Sequence, residues 1–281
     1  MRKIFFIFII PLTLLGQQTE KIYYNPNNIK RFADYLYKQQ DYKRALVEYK
    51  RYNFINGKRE LPVDIKIAKA YRYIRDYSHS TAKFQEILNN TIIDTLYQNI
   101  NYEIALNYFY QKKYSKTISI LQENINVIDN KIIKLRYEKF LSISYLLNWD
   151  FTKSLDISYR LKDEVIKKKI INYNLTGKSL KSKSPFISGF MSSVIPGSGR
   201  IYCNRFWEGI QSLVVITLLA YQSYDGYKNN NSTKFYIYGS LGLGLYLSDI
   251  YGSIINANIF NRRQREQFHD QVRKDMLNVI Q

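Results

Sequence analysis

The feature that most constrains the fold is an aromatic residue that recurs at a regular interval. Tyr42, Tyr77, Tyr114 and Phe151 follow one another at spacings of 35, 37 and 37 residues. All except Tyr114 directly follow an Asp. A period of this length is typical of repeats made of two antiparallel helices, and one such hairpin cannot bury its apolar face alone. The sequence therefore predicts helical hairpins that stack on one another.

Two sets of small residues recur in phase with this aromatic. They stand nine residues before it, at Ala33, Ala68, Ala105 and Ser142, and three residues after it, at Ala45, Ser80, Thr117 and Ser154. The two sets lie on different helices of a hairpin, so small side chains at both positions would let the helices approach closely. Larger residues six before and seven after the aromatic, Tyr above all, are expected to fill the space between hairpins.

This pattern resembles the tetratricopeptide repeat, over about four copies in residues 27–165. The best local match is the Asp-Tyr-x-x-Ala-x-x-x-Tyr run that begins at Asp41 and ends at Tyr49. The resemblance implies an all-α solenoid whose first helices line a concave groove that binds a peptide or protein. The groove positions that it implies are Tyr37, Lys69, Arg72, Tyr73, Tyr102, Phe109 and Tyr110. The cations among them would suit an acidic segment, whereas aromatic stripes at helical spacing are more often core.

The first 16 residues have the pattern of a secretory signal peptide. Arg2 and Lys3 precede a short apolar run, and Gly16 stands before polar sequence. We expect cleavage after Gly16; an uncleaved anchor is the alternative. In either case the following domain leaves the cytoplasm, which weakens the nucleic-acid interpretation of the formal charge of +19. An anionic membrane, or simply a composition rich in Lys, Asn, Ile and Tyr, accounts for the charge equally well.

Composition also restricts the chemistry. The chain has one Cys and two His, at Cys203, His79 and His269. These exclude an intrachain disulfide, a thiolate metal cage and a histidine cluster. Neither a Gly-x-Ser-x-Gly nucleophile motif nor a phosphate-binding loop is present. We therefore expect neither enzymatic activity, nor a cofactor, nor a metal.

The C-terminal part of the chain is expected to be embedded in a membrane. Residues 166–184 are lysine-rich and are interpreted as a basic linker near a lipid surface or simply in solvent. Residues 185–260 contain three apolar runs, and residues 261–281 form a basic tail. The third run carries Ser240, Gly244, Ser248 and Gly252 at a spacing of four, a stripe that favours close packing of membrane helices.

A Pro-Gly turn separates the first two apolar runs. The motif Pro196-Gly197-x-Gly199-x-x-Tyr202, followed by two apolar helices with an internal Asp249, resembles a family of small domains with two transmembrane helices. This resemblance implies an architecture more than an activity. A carboxylate in a membrane needs a partner, and Arg200 or Arg205 is the candidate to hold Asp249 against the turn. Ion or proton handling by Asp249 is the alternative.

Charge distribution bears on how this part crosses the membrane. We prefer three membrane elements, in which Pro185–Gly199 crosses as a short or broken helix, because this places the arginines and the basic tail inside. A re-entrant segment is the rival arrangement, since 15 residues of helix reach only about 22 Å.

The expected fold class is an all-α, tetratricopeptide-like solenoid followed by a transmembrane helical hairpin. The expected function is that of a non-enzymatic adaptor in a bacterial inner membrane, with periplasmic repeats that bind a protein partner and no nucleic acid. The alternative is an accessory subunit of a membrane transport, insertion or secretion complex in which Asp249 is functional.

Overall fold

The computed structural model describes residues 25–90 and 94–280, which form thirteen α-helices and no β-strand. The chain divides into two units, residues 1–161 and residues 162–281. The all-α fold class is confirmed. The predicted signal peptide at residues 1–16 lies outside the described residues.

The first unit consists of helical hairpins. Its helices are α1 (Pro26–Lys38), α2 (Tyr42–Asn56), α3 (Leu61–Tyr73), α4 (Tyr77–Asn89), α5 (Asp94–Tyr110), α6 (Tyr114–Ile125), α7 (Lys131–Leu147) and α8 (Phe151–Arg160). Each helix packs against the next, so that four hairpins follow one another along the chain. The recurring aromatic is the first residue of the second helix in every hairpin.

The turn inside each hairpin has the same backbone conformation. Gln40, Arg75, Lys112 and Trp149 all adopt the left-handed conformation, with φ between 60° and 66°. The amide of the residue that follows each of them donates to the carbonyl five residues earlier, at 2.9–3.0 Å. This is the hydrogen bond of a Schellman motif, which ends the first helix at a defined point. The four turns therefore impose one hairpin geometry.

An Asp begins the second helix in three of the four hairpins. The carboxylates of Asp41, Asp76 and Asp150 accept hydrogen bonds from the backbone amide three residues later, at 3.1–3.2 Å. Such N-caps pair an amide that the helix itself leaves unpaired. Lys113 holds this position in the third hairpin and makes no side-chain cap. Each Asp-aromatic pair in the sequence is therefore an N-cap followed by the first residue of the second helix.

The small residues of each hairpin lie where its two helices meet. All eight are completely buried. The hydroxyl of Ser80 donates to the carbonyl of Ala68 at 2.7 Å, and the hydroxyl of Ser142 donates to the carbonyl of Ser154 at 2.8 Å. A side chain that reaches the backbone of the opposite helix requires a close approach of the two helices. The close packing that the sequence predicted is confirmed.

The second unit contains the helices α9 (Glu164–Lys178), α10 (Pro185–Val194), α11 (Ser198–Tyr202), α12 (Phe206–Lys228) and α13 (Ser232–Ile280). The helical hairpin that the sequence predicted is formed by α12 and α13, which pack against each other. No helix in the described part of the chain combines the length and the apolar composition that crossing a membrane requires.

The segments interpreted as a basic linker and a basic tail are largely helical. Most of residues 166–184 belongs to α9, and the basic tail continues α13. The ring of Tyr173 in α9 contacts that of Phe268 at 6.2 Å between centroids, and the Tyr173 hydroxyl donates to Asp275. Lysines obscured the buried face of α9, and the tail buries residues at a spacing of four: Phe268, Val272, Met276 and Ile280. These two segments therefore pack against each other along their buried faces, as amphipathic helices do.

Candidate functional site

Helix α10 runs antiparallel to α13. At its start, the backbone amide of Lys183 donates to Asn261 Oδ1 at 2.7 Å, and Asn261 Nδ2 donates to the Lys183 carbonyl at 2.8 Å. Near its end, the hydroxyl of Tyr246 donates to the carbonyl of Ser193 at 2.6 Å. Helix α10 thus begins beside the tail and ends beside the middle of α13.

The chain then returns towards the end from which it came. The hydroxyl of Tyr202 accepts a hydrogen bond from the amide of Ser184 at 3.2 Å, and Arg205 donates to the side chain of Asn256. Residues 185–202 therefore form a re-entrant pair of short helices, which we call the re-entrant segment. This corrects the expectation that Pro185–Gly199 crosses from one side to the other, because both flanks of the segment contact the same end of α13.

The tip of the re-entrant segment is fastened to α13 by Asp249. The side chain of Asp249 is almost fully buried, and its Oδ2 accepts from the amide of Gly197 at 2.6 Å. Its Oδ1 accepts from Arg200 Nε, also at 2.6 Å. The sequence nominated Arg200 and Arg205 as partners; the structure places Arg200 there, while Arg205 pairs with Glu208 at 2.5 Å. We call Asp249, Gly197 and Arg200 the carboxylate clamp.

Glycines allow the close contacts around this clamp. A Cβ on Gly197 would lie 2.0 Å from the carbonyl oxygen of Gly209, and Gly197 has a φ of +81°. A Cβ on Gly199 would lie 2.0 Å from the carbonyl oxygen of Ser188. Both distances are far inside van der Waals contact, so the Pro-Gly motif packs backbone against backbone. The Pro-Gly turn thus packs directly against the backbone of Gly209.

Serines join the re-entrant segment to α13. The hydroxyl of Ser188 donates to the carbonyl of Ser253 at 2.8 Å, and the hydroxyls of Ser192 and Ser253 lie 2.7 Å apart. All three residues are fully buried. Buried hydroxyls need partners, and here each has one. The interior of this unit is therefore held together by polar contacts.

Most of the predicted stripe of small residues on α13 lies outside the contacts that this helix makes with the other described helices of the chain. Ser240, Gly244 and Ser248 are exposed, and a Cβ on Gly244 would meet no atom within 4 Å. Only the last member, Gly252, lies close to another element: its Cβ would be 2.9 Å from Arg200 Nη2. Gly242, which lies on a different face of α13, contacts α12. A Cβ on Gly242 would lie 3.4 Å from Leu219 Cβ.

Residues 185–257 have an inside-out distribution of polarity. Their buried side chains are mostly small or polar, with Ser188, Ser192, Ser223, Asp249, Ser253 and Asn256 inside. Large apolar and aromatic side chains point outwards, including Phe186, Phe190, Val194, Leu218, Tyr221, Tyr224, Leu241, Leu243, Leu247 and Tyr251. The opposite arrangement, with apolar residues inside, holds for α9 and the tail of α13. We call the outward-facing set the apolar belt.

In the first unit, the structure buries three of the seven predicted groove residues. Tyr102 and Phe109 are completely buried, and Arg72 is nearly so. The reason is that they face the neighbouring helices: the Phe109 ring lies 5.3 Å from that of Phe140 in α7. The expectation that they line an open groove was wrong, and the core interpretation of the aromatic stripe holds for them.

The predicted cations are paired within the chain. Arg72 Nη2 lies 2.6 Å from Glu103 Oε2, and Lys69 Nζ lies 2.8 Å from Glu103 Oε1. Burial raises the pKa of Glu103, but the charges of Arg72 and Lys69 outweigh burial and hold the pKa below its usual value. Glu103 engages both cations within the chain, and because one carboxylate carries one negative charge, the three groups together keep a net charge of +1.

The remaining predicted residues lie beside tyrosines that the sequence treated only as repeat markers. Tyr73 is nearly half exposed and stacks on Tyr42 at 4.4 Å between centroids; Tyr37 meets Tyr42 edge-on at 5.2 Å. Tyr110 stacks on Tyr77 at 6.1 Å. We call Tyr37, Tyr42 and Tyr73 the tyrosine cluster. The position of Tyr42 after a tight turn, beside the end of the first helix, was the signal that could have revealed it.

Within the described residues, no three His, Cys, Asp or Glu side chains are grouped to hold a metal ion. No protein-family model matches the chain, and no curated protein matches it significantly.

Proposed function

We propose that the protein is a non-enzymatic, membrane-anchored adaptor in the bacterial cell envelope. Residues 185–260 act as the membrane anchor, and the tetratricopeptide-like hairpins bind a protein or peptide partner outside the cytoplasm. The observation that carries the proposal is the inside-out polarity of residues 185–257.

The apolar belt is the reason to propose a lipid environment. In water, an exposed apolar surface of this extent is unfavourable and marks an interaction site. In lipid, helices gain nothing by burying apolar side chains, and they associate through small residues and hydrogen bonds instead. Buried serines and glycines beneath a belt of Phe, Val, Leu and Tyr suit lipid as the surrounding solvent. Hydropathy averaged along a helix combines the apolar outer face with the small and polar inner face, so the average is lower than that of the outer face alone.

Length and aromatic placement are consistent with this environment. Helix α12 has 23 residues, which at 1.5 Å per residue is about 34 Å, close to the thickness of a bilayer core. Its first turn exposes Phe206 and Trp207, and its last turns expose Tyr224 and Tyr227. Aromatic side chains at both ends of a helix suit the two membrane interfaces.

The re-entrant segment determines which parts of the chain share a side. Lys183 and Asn261 are joined by two hydrogen bonds, so the chain enters and leaves the proposed anchor at one end. That end is basic, and the positive-inside rule alone favours the cytoplasm for it. We assign it to the periplasm because the expected signal peptide exports the chain, and long domains translocate largely regardless of charge.

For the repeats, we propose that the partner contacts the tyrosine cluster. Stacked Tyr side chains provide rigid apolar area with polar tips, a frequent composition of binding hot spots. Lys69 and Arg72 are already held in ion pairs with Glu103, which weakens the argument for an acidic partner. The proposal is therefore an apolar or aromatic peptide segment, bound by the helical-hairpin unit.

Two experiments test the proposal. Leu218→Arg places a charge in the apolar belt, and Asn230→Arg places the same charge in the loop between α12 and α13. We expect the Leu218 variant alone to be depleted from alkali-washed membranes. For the repeats, a photocrosslinking amino acid at Tyr73 should capture one protein in intact cells, while the same group at the exposed Phe54 should not. Release of the unmodified protein by alkali would overturn the anchor, and identical capture patterns would overturn the partner site.

A further inference from the structure

A polar cavity lies at the basic end of the second unit, between the start of α12 and the later part of α13. It has a volume of about 370 Å³, and the side chains that line it include Asn204, Arg205, Asn256, Arg263, Gln264 and Gln267. Two guanidinium groups and several amides thus converge on one space. None of the residues that line it is acidic.

One donor in this cavity wall is unsatisfied. Asn256 is only 5% exposed, and its Oδ1 accepts a hydrogen bond from Arg205. Its Nδ2 is buried and has no hydrogen-bond partner among the described residues. A buried amide donor without a partner costs free energy, typically about 1–3 kcal/mol. Such a group is usually paired with an ordered water or a bound ligand when the protein supplies no acceptor.

One of the two cations is also uncompensated. Arg205 pairs with Glu208 at 2.5 Å, whereas no carboxylate of the described chain lies within ion-pair distance of Arg263. The neighbouring Arg262 faces Glu266 instead, at 3.9 Å. The cavity therefore has a net positive charge and an excess of hydrogen-bond donors.

We propose that this cavity binds a phosphate-bearing group, either the headgroup of an anionic phospholipid or free phosphate. A phosphate offers more acceptor oxygens than a carboxylate, and Arg205, Arg263, Gln264 and Gln267 provide N–H donors along the cavity wall. Guanidinium groups also match its oxygens in pairs. The headgroup version rests on the proposed function, because it requires this end of the helices to lie at a membrane interface.

The test uses the full-length protein in two settings. In neutral detergent, the melting temperature is measured with inorganic phosphate and with chloride at equal ionic strength. In nanodiscs, it is measured with phosphatidylcholine alone and with added phosphatidylglycerol. The variants are Arg263→Gln, Arg263→Lys and the matched control Arg262→Gln. We expect stabilisation by phosphatidylglycerol or by phosphate, roughly tenfold weaker binding in Arg263→Gln, partial recovery in Arg263→Lys and no change in Arg262→Gln.

The outcomes distinguish a lipid headgroup from free phosphate, and they distinguish failure of this site from failure of the proposed membrane anchor. Stabilisation only by phosphatidylglycerol supports a lipid headgroup, and stabilisation by inorganic phosphate in detergent supports a free anion. No stabilisation in either setting overturns the site, as does an equal loss in Arg262→Gln and Arg263→Gln, which would indicate diffuse charge. The detergent measurement needs no bilayer, so it decides the site even if the membrane anchor proves wrong.

Discussion

The carboxylate of Asp249 accepts a hydrogen bond from the backbone amide of Gly197, 52 residues earlier in the chain, at 2.6 Å. This contact joins the tip of the re-entrant segment to the middle of the longest described helix. Because Arg200 occupies the other carboxylate oxygen, both oxygens of Asp249 are engaged. This favours a structural role for Asp249 over the ion handling considered from the sequence.

We predict that Asp249→Asn destabilises the second unit by about 2–3 kcal/mol, since hydrogen bonds to charged groups contribute about that much. The amide can still accept from Gly197, but Arg200 loses its buried counter-charge. Denaturant unfolding in detergent, followed by Trp207 fluorescence in a Trp149→Phe background, measures the change. The control is Asp270→Asn, because Asp270 is 69% exposed and its contact with Arg273 is long, at 4.0 Å. Equal stability of the two variants would contradict the clamp.

Two glycine substitutions should change the free energy of unfolding in opposite directions. Gly199→Ala puts a methyl group 2.0 Å from the Ser188 carbonyl oxygen, and we expect a loss of about 3 kcal/mol from the forced backbone shift. Gly244→Ala meets no atom within 4 Å and should stabilise α13 by up to about 1 kcal/mol through helix propensity. The same unfolding measurement compares them. Comparable losses in both would mean that the helices pack differently.

Lys113→Asp should stabilise the first unit by about 1 kcal/mol. Lys113 occupies the position at which the other three hairpins have a capping Asp, and it makes no cap of its own. The control is Lys113→Ala, which removes the lysine without supplying an acceptor oxygen. Unfolding followed by Trp149 fluorescence in a Trp207→Phe background reports on this unit. A gain in both variants would show that removal of the lysine, rather than the cap, is responsible.

The ion pairs of Glu103 should make the first unit sensitive to acid. The pKa of Glu103 lies below the ordinary value of 4.5, so the folded state binds the proton less readily than the unfolded state. The resulting stability is present above pH 4.5 and declines as the pH falls through the lower pKa of the folded protein.

The corresponding variant is Glu103→Gln, which leaves Arg72 buried without its counter-charge. We expect a loss of about 3 kcal/mol at neutral pH, which shrinks below pH 4.5 as the wild-type protein is itself protonated. The measurement is denaturant unfolding at several pH values. A difference between the proteins that does not change with pH would contradict the ionic contribution.

The hairpin unit was readable from sequence because its determinants are local and periodic. The buried pair of Ala68 and Ser80 and the capping Asp76 fall within one repeat, at positions that recur along the chain. The next hairpin covers one face of each first helix, and which face it covers depends on tertiary packing. Tyr102 and Tyr73 both looked like groove residues, yet the structure buries the first and exposes the second.

The course of the chain through the second unit could not be predicted from local, periodic features. A short apolar run has the same sequence pattern whether it crosses or returns. The return is visible only in contacts between distant residues, such as that of Arg205 with Asn256. The helix α9 was missed because its buried face includes Asn174 and Gly177 among many lysines. Asp249 was identifiable because a lone carboxylate within an apolar run needs a partner.

Thiol labelling from one side of sealed vesicles tests the membrane anchor most directly. In a Cys203→Ser background, single cysteines replace the exposed Lys181, Asn230 and Asn278, and a membrane-impermeant maleimide is added. We predict that Lys181→Cys and Asn278→Cys react from the same side and that Asn230→Cys reacts only from the other. Reaction of all three from one side, or of Lys181→Cys and Asn278→Cys from opposite sides, would contradict a re-entrant segment and a helical hairpin embedded in the membrane.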